Sequence, residues 1–225
     1  MFDQEGTSER SNSIEPPSRA VFHPRFAAFY EWFARSGQQR RLLDPLRQAS
    51  AGGAFGIVLE VGAGTGLNFA WYQPTHVERV EATEPDNAML AYAKRRAEVA
   101  SVPIVLTQAE VSALPFGDET FDSAVVTLVL CSVHDPREAL GEIKRVLKAQ
   151  GTLFLFEHVR SPHGWLARLQ DGLVPVTTRL FGNCHWNRDA ARLVEEAGFQ
   201  VTEMRQWPGG FPLLPHLILQ ARRPS

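Results

Sequence analysis

Short apolar segments alternate with amphipathic segments along most of the chain. Apolar runs of strand length occupy positions 56–61, 77–83, 103–108, 121–130 and 152–159. Between these runs, apolar residues recur three or four positions apart, which predicts helices near 67–72, over 87–100 and over 135–151. Strands that are apolar almost throughout are buried on both faces, so the pattern predicts a parallel sheet with helices on both sides.

The helix predicted over 135–151 carries a signal at each end. Asp135 fits the capping position and Pro136 fits the first helical position. Gly151 fits the residue that ends a helix, because glycine adopts the left-handed conformation found there. We therefore expect the helix to fill the whole interval between these residues.

The two ends of the chain add further elements. Aromatic residues spaced three or four apart predict a helix over 23–36, followed by a second helix over 38–49. The first of these either packs an ordinary apolar face on the domain or forms a lid over a substrate pocket. Near the C-terminus, the pattern predicts a helix over 188–197 and strands at 199–206 and 214–223.

Composition narrows the class of protein. The 225 residues have a net charge of −2, with 44% hydrophobic and 21% charged residues, as in an ordinary globular domain. The absence of a basic block argues against nucleic-acid binding. No apolar run approaches the roughly 20 residues that span a bilayer, and the polar segment 1–19 predicts a disordered tail rather than a signal peptide or anchor. We expect a cytoplasmic monomer or homodimer.

The cysteines argue against two kinds of site. Cys131 and Cys184 are far apart and have no C-x-x-C spacing. Their number and spacing predict neither a disulfide framework nor a metal site, and they fit a reducing compartment.

A glycine-rich loop follows the first apolar run, in the stretch LEVGAGTG at 59–66. Its spacing is G-x-G-x-G, whereas a dinucleotide fingerprint has G-x-G-x-x-G and a P-loop ends in G-K-S or G-K-T. Glu84 stands 18 residues beyond Gly66, at the end of the second run. A carboxylate at that place can accept both hydroxyls of a ribose. The loop and Glu84 together predict a nucleoside-containing ligand.

These motifs occur in an order that resembles a known family. The sequence E-x-G-x-G-x-G, then EPD, QAEVSALPF, FDSAVVTLVLCSV and ALGEIKRVLKAQGTLFLFEHV is similar to the class I S-adenosylmethionine-dependent methyltransferases over about 55–160. The resemblance implies a doubly wound α/β fold, with a mostly parallel seven-stranded sheet whose last strand is antiparallel. It divides the chain into N-terminal helices over 20–52 and a methyltransferase domain over 53–225, with a substrate-side insertion at 160–187.

The resemblance also implies a cofactor, S-adenosyl-L-methionine, which would leave as S-adenosyl-L-homocysteine. The glycine loop and the end of the fourth strand would hold its methionine part, Glu84 its ribose, and Pro85, Met89 and residues 108–110 its adenine. Many relatives have aspartate where this chain has Gln108, whose carbonyl can still accept from the adenine amine. The implied binding residues are Glu60, Gly62, Ala63, Gly64, Thr65, Gly66, Asn68, Glu84, Pro85, Met89, Gln108, Ala109, Glu110, Thr127 and Leu128.

A closer resemblance concerns the acceptor. The stretches VVTLVLCSV, FEHV and GNCHWNRDAARLVEEAGF are similar to the animal membrane-associated thiol methyltransferases and their bacterial relatives. Those proteins have Thr-Arg where this chain has Asn187 and Arg188, and quinone-biosynthesis methyltransferases share the central motifs. The resemblance therefore implies a small, hydrophobic acceptor, with a thiol as the first hypothesis and O- or C-methylation of a phenol or quinone-like metabolite as the second.

Candidate acceptor-side residues lie around the ends of the fourth and fifth strands and in the later GNCHW segment. His158 and His185 are the candidate catalytic residues, although His158 could equally bond a backbone carbonyl. Cys131 could simply be a small buried residue, His134 a solvated turn residue, and the Cys184 region ordinary helix packing. The predicted pocket residues are Phe26, Tyr30, Cys131, His134, Cys184 and Trp186.

Two other classes of function remain open from the sequence. One is a nicotinamide-dependent oxidoreductase, against which the glycine spacing argues. The other is a cofactor-binding protein without catalytic activity.

Overall fold

The computed structural model describes residues 23–207 and 213–225, and its centre is a seven-stranded sheet. The strands are β1 Gly56–Val61, β2 Val77–Thr83, β3 Ile104–Thr107, β4 Phe121–Thr127, β5 Leu147–His158, β6 Gln200–Trp207 and β7 His216–Arg222. The spatial order is β3-β2-β1-β4-β5-β7-β6. The first five strands pair in parallel, whereas β7 is antiparallel to both β5 and β6. The predicted seven-stranded sheet with an antiparallel last strand is confirmed.

Helices flank the sheet and precede it. They are α1 Pro24–Ala34, α2 Gly37–Ser50, α3 Asn87–Ala97, α4 Pro136–Val146, α5 Gly164–Leu180 and α6 Ala190–Glu196, with short 3₁₀ turns at Ala51–Gly53 and Phe69–Trp71. Among the described residues, no helix combines the length and the apolar character needed to cross a membrane. The predicted tail over 1–19 lies outside the described residues.

Alternate residues of the central strands enter separate apolar cores on the two faces of the sheet. In β4, Ala124 and Val126 belong to the larger core, which α4 and α6 cover, and Val125 belongs to the smaller core, which α3 covers. The neighbouring residues of β1 divide in the same way, with Leu59 in the first core and Val58 in the second. Burial on both faces explains why the strands are apolar almost throughout.

The predicted helix over 135–151 is too long. Asp135 caps it, accepting from Arg137 N at 2.8 Å, but the helix ends at Val146 and β5 starts at the fully buried Leu147. Burial of Leu147 in the core requires extended backbone there, and this outweighs the helix-ending signal of Gly151. Gly151 instead lies within the strand, at an irregular stretch of its pairing with β4.

Two other boundaries differ from the prediction. The helix expected near 67–72 is only the 3₁₀ turn Phe69–Trp71, because the buried rings of Phe69 and Tyr72 draw this segment into the core. The strand expected over 121–130 ends at Thr127, since Leu128 has a φ of 57° and turns the chain out of the sheet. A leucine in this conformation is strained, and such strain is typical of functional sites.

Candidate active site

The glycine loop at the end of β1 has the shape of a ligand cradle. Gly62, Gly64 and Gly66 all have positive φ angles, between 56° and 80°. A Cβ atom on Gly62 would lie 2.5 Å from Val129, and one on Gly66 would lie 2.6 Å from Phe69, so packing alone requires glycine at both positions. A Cβ on Gly64 would meet nothing within 4 Å. The middle glycine therefore faces open space, where a ligand can approach the backbone.

Glu84 at the end of β2 is fixed beside this loop. Its two carboxylate oxygens accept one backbone N–H each, from Gly64 at 2.9 Å and from Asp86 at 3.0 Å. Each oxygen keeps a free lone pair, so the carboxylate can still accept two ribose hydroxyls. Burial raises the pKa of Glu84, and the two N–H bonds counteract that rise. The loop and this carboxylate fit the ribose end of S-adenosylmethionine.

A buried polar network lies under the loop. The Glu60 carboxylate accepts from Asn68 Nδ2 at 3.0 Å and from the Tyr72 hydroxyl at 2.6 Å. Asn68 also donates to Thr127 Oγ1 at 3.0 Å and accepts from Arg47 Nη1 at 2.8 Å. The network joins α2, β1 and β4. Sequence analysis missed Arg47 and Tyr72, because nothing in the local pattern marks either as a partner of Glu60.

Glu60 gives the protein a specific dependence of stability on pH. Burial raises its pKa to about 7, although Tyr72, Asn68 and Arg47 all oppose the shift. The folded state therefore binds a proton at Glu60 more tightly than the unfolded chain does, because the glutamate pKa in an unfolded chain is about 4.3. The stabilisation is complete below about pH 4.3 and is lost as the pH rises toward 7, by about 4 kcal/mol in all. The Glu60→Gln variant has no carboxyl to titrate, so it should not lose stability in this way. In urea titrations, the unfolding free energy of the variant minus that of wild type should therefore rise between about pH 4.3 and pH 7.

The adenine side of the site combines buried and exposed residues. Met89 is buried at the start of α3 and Pro85 is half-buried, while Gln108 and Glu110 are exposed and Ala109 is half-buried. Gln108 Nε2 donates to the Pro85 carbonyl at 3.0 Å, which ties the two predicted adenine contacts together. The Gln108 carbonyl oxygen is then the group that can meet an adenine amine.

The acceptor side is built on the turn after β4. The fully buried Glu157 accepts from Val129 N and Leu130 N, both at 2.6 Å, and from Cys131 N at 3.3 Å. Burial raises the pKa of Glu157. This carboxylate fixes the backbone beside Leu128, and sequence analysis passed over it in favour of its neighbour His158.

The segment after α5 is fastened to the same turn on both sides of Cys184. His185 N donates to the Cys131 carbonyl at 2.7 Å. On the other side, Asn183 Nδ2 donates to the Ser132 carbonyl, also at 2.7 Å. The backbone of Cys184 is therefore held close to that of Cys131, although 52 positions separate the two in the sequence.

Arg188 adds a further attachment to this turn. Its Nη1 donates to the carbonyls of Leu130 and Val133, the latter at 2.8 Å. Together with the bonds beside Cys184, this contact holds two distant parts of the chain in fixed positions. It brings together side chains that the sequence separates.

Cys131, His158 and Cys184 meet at this junction. One ligand atom from each lies within 4.8 Å of the others, and Cys184 Sγ is 3.7 Å from His158 Nδ1. Both cysteines are buried and His158 is half-buried. The His216 ring lies 4.8 Å from that of His158, and burial, with the nearby His158, lowers the pKa of His216 to about 3.

The remaining predicted acceptor-side residues are placed differently. His185 is half-buried, and burial together with the Arg188 charge lowers its pKa, which favours the neutral imidazole. Trp186 is also half-buried and packs against Phe181, with ring centroids 5.7 Å apart. His134 is exposed in the turn before α4, as expected of a solvated turn residue.

Helix α1 links the two sides of the site. Ala27, Phe26 and Tyr30 pack with Met89 near the start of α3. Phe26 also lies against Gly182, where an added Cβ would come within 3.0 Å of the ring. The helix thus contacts both the start of α3 and the segment that carries Cys184.

Comparison with known proteins places this geometry in a family. A family profile described as a methyltransferase domain matches residues 59–155. The rat thiol S-methyltransferase TMT1B is 32% identical over 192 residues, which cover 82% of this chain and 78% of the relative. The chain belongs to the class I S-adenosylmethionine-dependent methyltransferases, in the thiol methyltransferase-like group.

Two further comparisons concern another curated relative and a solved structure of similar fold. The phosphatidylethanolamine N-methyltransferase of Cereibacter sphaeroides is 31% identical over 160 residues, covering 69% of this chain and 76% of the relative. Among solved structures, the N-methyltransferase NodS of Bradyrhizobium japonicum, in complex with S-adenosyl-L-homocysteine, has a TM-score of 0.65 at 21% identity, covering 86% and 92% of the two chains. The chain is thus an S-adenosylmethionine-dependent methyltransferase, and the oxidoreductase alternative is set aside.

Proposed function

We propose that this methyltransferase methylates the sulfur of a small, lipophilic thiol. The observation that carries the proposal is the surroundings of His158, which lies half-buried at the end of β5 beside Cys184. Phe26 of α1 packs against Gly182, and Trp186 packs against Phe181, in the segment that carries Cys184. Apolar walls around one polar group suit a small hydrophobic acceptor. The similarity to the thiol S-methyltransferase TMT1B supports sulfur as the acceptor atom.

The reaction requires little from the protein beyond binding and orienting the cofactor and the acceptor. S-Adenosylmethionine supplies a methyl group that its sulfonium already activates. The acceptor thiol loses its S–H proton, and its sulfur forms a bond to the methyl carbon. The bond between that carbon and the cofactor sulfur breaks, and the cofactor sulfur keeps the electron pair. The products are a methyl thioether, S-adenosylhomocysteine and a proton. The chain contributes alignment of the acceptor, exclusion of water by α1, and a group such as His158 that helps to orient or activate the thiol.

A methyl-transfer screen tests the proposal. Thiols, phenols, quinols and amines are offered to the protein with S-adenosylmethionine, and release of S-adenosylhomocysteine is measured. We expect turnover with lipophilic thiols, and a loss of about 100-fold or more in kcat for His158→Ala. The matched control is His76→Ala, which replaces an exposed histidine just before β2, at the amino end of that strand.

Other acceptor profiles would contradict the thiol assignment. Turnover of phenols or quinols without thiols would favour the O- or C-methylation alternative. Turnover of amines alone would place the chain with the N-methyltransferases. Tight S-adenosylhomocysteine binding without turnover of any acceptor would indicate a cofactor-binding protein without this activity.

A further inference from the structure

The junction of Cys131, His158 and Cys184 has the composition of a transition-metal site. Two sulfur atoms and one imidazole nitrogen come from the turn after β4, the end of β5 and the segment after α5. Three protein ligands of the Cys₂His type, with a fourth position left open, are typical of catalytic zinc sites. The described residues offer no other group of three such ligands.

The distances match the size of zinc. Bonds of about 2.3 Å to sulfur and about 2.0 Å to nitrogen, in tetrahedral geometry, put ligand atoms roughly 3.5 to 3.8 Å apart. Cys184 Sγ and His158 Nδ1 are already 3.7 Å apart, and all three atoms lie within 4.8 Å. A shift of about 1 Å in side-chain position is enough to complete the set.

The backbone around the ligands is fixed before any metal binds. Glu157 accepts the Cys131 N–H, and the Cys131 carbonyl accepts from His185 N, so the peptide groups on both sides of this cysteine are held. Asn183 and Arg188 fasten the segment on either side of Cys184 to the same turn. Partners behind the ligands orient them and strengthen metal binding.

The charges around the junction suit a divalent cation. With both cysteines as thiolates, a divalent metal and its ligands are neutral, and His158 contributes no charge when it coordinates. The Arg188 guanidinium lies beside the Cys131 turn, where it donates to the Val133 carbonyl. A fourth, anionic ligand would leave one negative charge, which the sulfonium of the cofactor can offset.

We propose that Cys131, His158 and Cys184 bind Zn²⁺ and that the acceptor thiol takes the fourth position as a thiolate. The second part rests on the proposed function, because it needs a thiol acceptor. Two cysteine protons leave when the metal binds, and the acceptor proton leaves when its sulfur coordinates. Because zinc deprotonates a coordinated thiol, no separate base is required. His158 then acts as a metal ligand. The bound sulfur then forms a bond to the methyl carbon as the methyl–sulfonium bond breaks. S-Adenosylhomocysteine departs with that electron pair, and the thioether leaves the metal.

Cobalt substitution tests the site without relying on activity. The reduced protein is stripped with a chelator and titrated with Co²⁺, whose tetrahedral thiolate complexes give ligand-to-metal charge-transfer bands and intense visible bands. We expect saturation near one Co²⁺ per chain, with displacement by Zn²⁺. Cys131→Ser, Cys184→Ser and His158→Ala should each weaken binding at least 10-fold, whereas His76→Ala should bind as wild type does. Circular dichroism establishes that each variant is folded.

Addition of a small lipophilic thiol tests the fourth position. The thiol should shift the visible cobalt bands, whereas a phenol of similar size should not. The zinc assignment is overturned if Co²⁺ gives no thiolate bands, if the bands persist in the folded Cys131→Ser variant, or if the cysteines form a disulfide whose reduction restores no metal binding. Unchanged bands with thiol would overturn acceptor coordination. Thiol-sensitive bands without methyl transfer would instead contradict the proposed function and leave the metal site standing.

Discussion

Replacing Glu84 by alanine should weaken S-adenosylhomocysteine binding by about 100-fold. We propose that this carboxylate accepts the ribose hydroxyls, and hydrogen bonds to a charged group contribute about 1.5 to 3 kcal/mol each. The variant also loses the bond from Gly64 N, so the glycine loop is less well fixed before the ligand arrives. Isothermal titration calorimetry of wild type and variant measures the change directly.

The controls separate ribose recognition from a general effect on the strand. Glu81 lies in β2, three residues before Glu84, and pairs with Arg79 at 3.2 Å, so Glu81→Ala should bind as wild type does. Glu84→Gln should fall between wild type and Glu84→Ala, because its amide keeps one acceptor oxygen. If the affinity of Glu84→Ala lies within about threefold of wild type, this carboxylate does not bind the ribose. Loss of even one hydrogen bond to a charged group should lower the affinity by more than about threefold.

The sheet could be predicted from the sequence because both faces of its central strands are buried. That burial gives β1, β4 and the second half of β5 nearly continuous apolar runs. Boundaries were less predictable where tertiary packing overrides local signals. Leu147 begins a strand because its side chain enters the core, although Gly151 suggested a longer helix.

The cofactor side of the site could also be predicted in outline. Its residues lie in short motifs at the ends of consecutive strands, and the parallel sheet brings those ends to one edge. The supporting partners could not be predicted. Arg47 reaches Asn68 from α2, and Tyr72 reaches Glu60 from the far end of the loop, so only the folded chain reveals either contact.

The same limit applies to the cluster of Cys131, His158 and Cys184. The sequence predicts no metal site, because Cys131 and Cys184 lack the close spacing of known zinc motifs. In the fold, the three candidate ligands come from three separate elements, and the polar contacts of Asn183 and Arg188 bring the last of them into place. Spacing along a chain detects sites built on one hairpin or helix, and it does not detect sites assembled by the topology of a sheet.

Replacing Glu157 by alanine should destabilise the protein by about 3 to 5 kcal/mol. The substitution leaves the N–H groups of Val129, Leu130 and Cys131 buried without their acceptor, and each such loss costs about 1 to 3 kcal/mol before water relieves part of it. For a chain of this size, the melting temperature should fall by about 10 °C. Thermal unfolding is followed by circular dichroism in the presence of a chelator, so that metal binding does not contribute.

Two further variants make this result specific. Glu157→Gln keeps one carbonyl oxygen for Val129 N and Leu130 N but turns an amide N–H₂ toward Cys131 N, so it should lose about half as much stability as Glu157→Ala. Glu195→Ala removes an exposed glutamate from α6 and should change stability by less than about 0.5 kcal/mol. If Glu157→Ala is as stable as Glu195→Ala, the turn after β4 is held by other contacts, and Glu157 does not fix the backbone that positions Cys131.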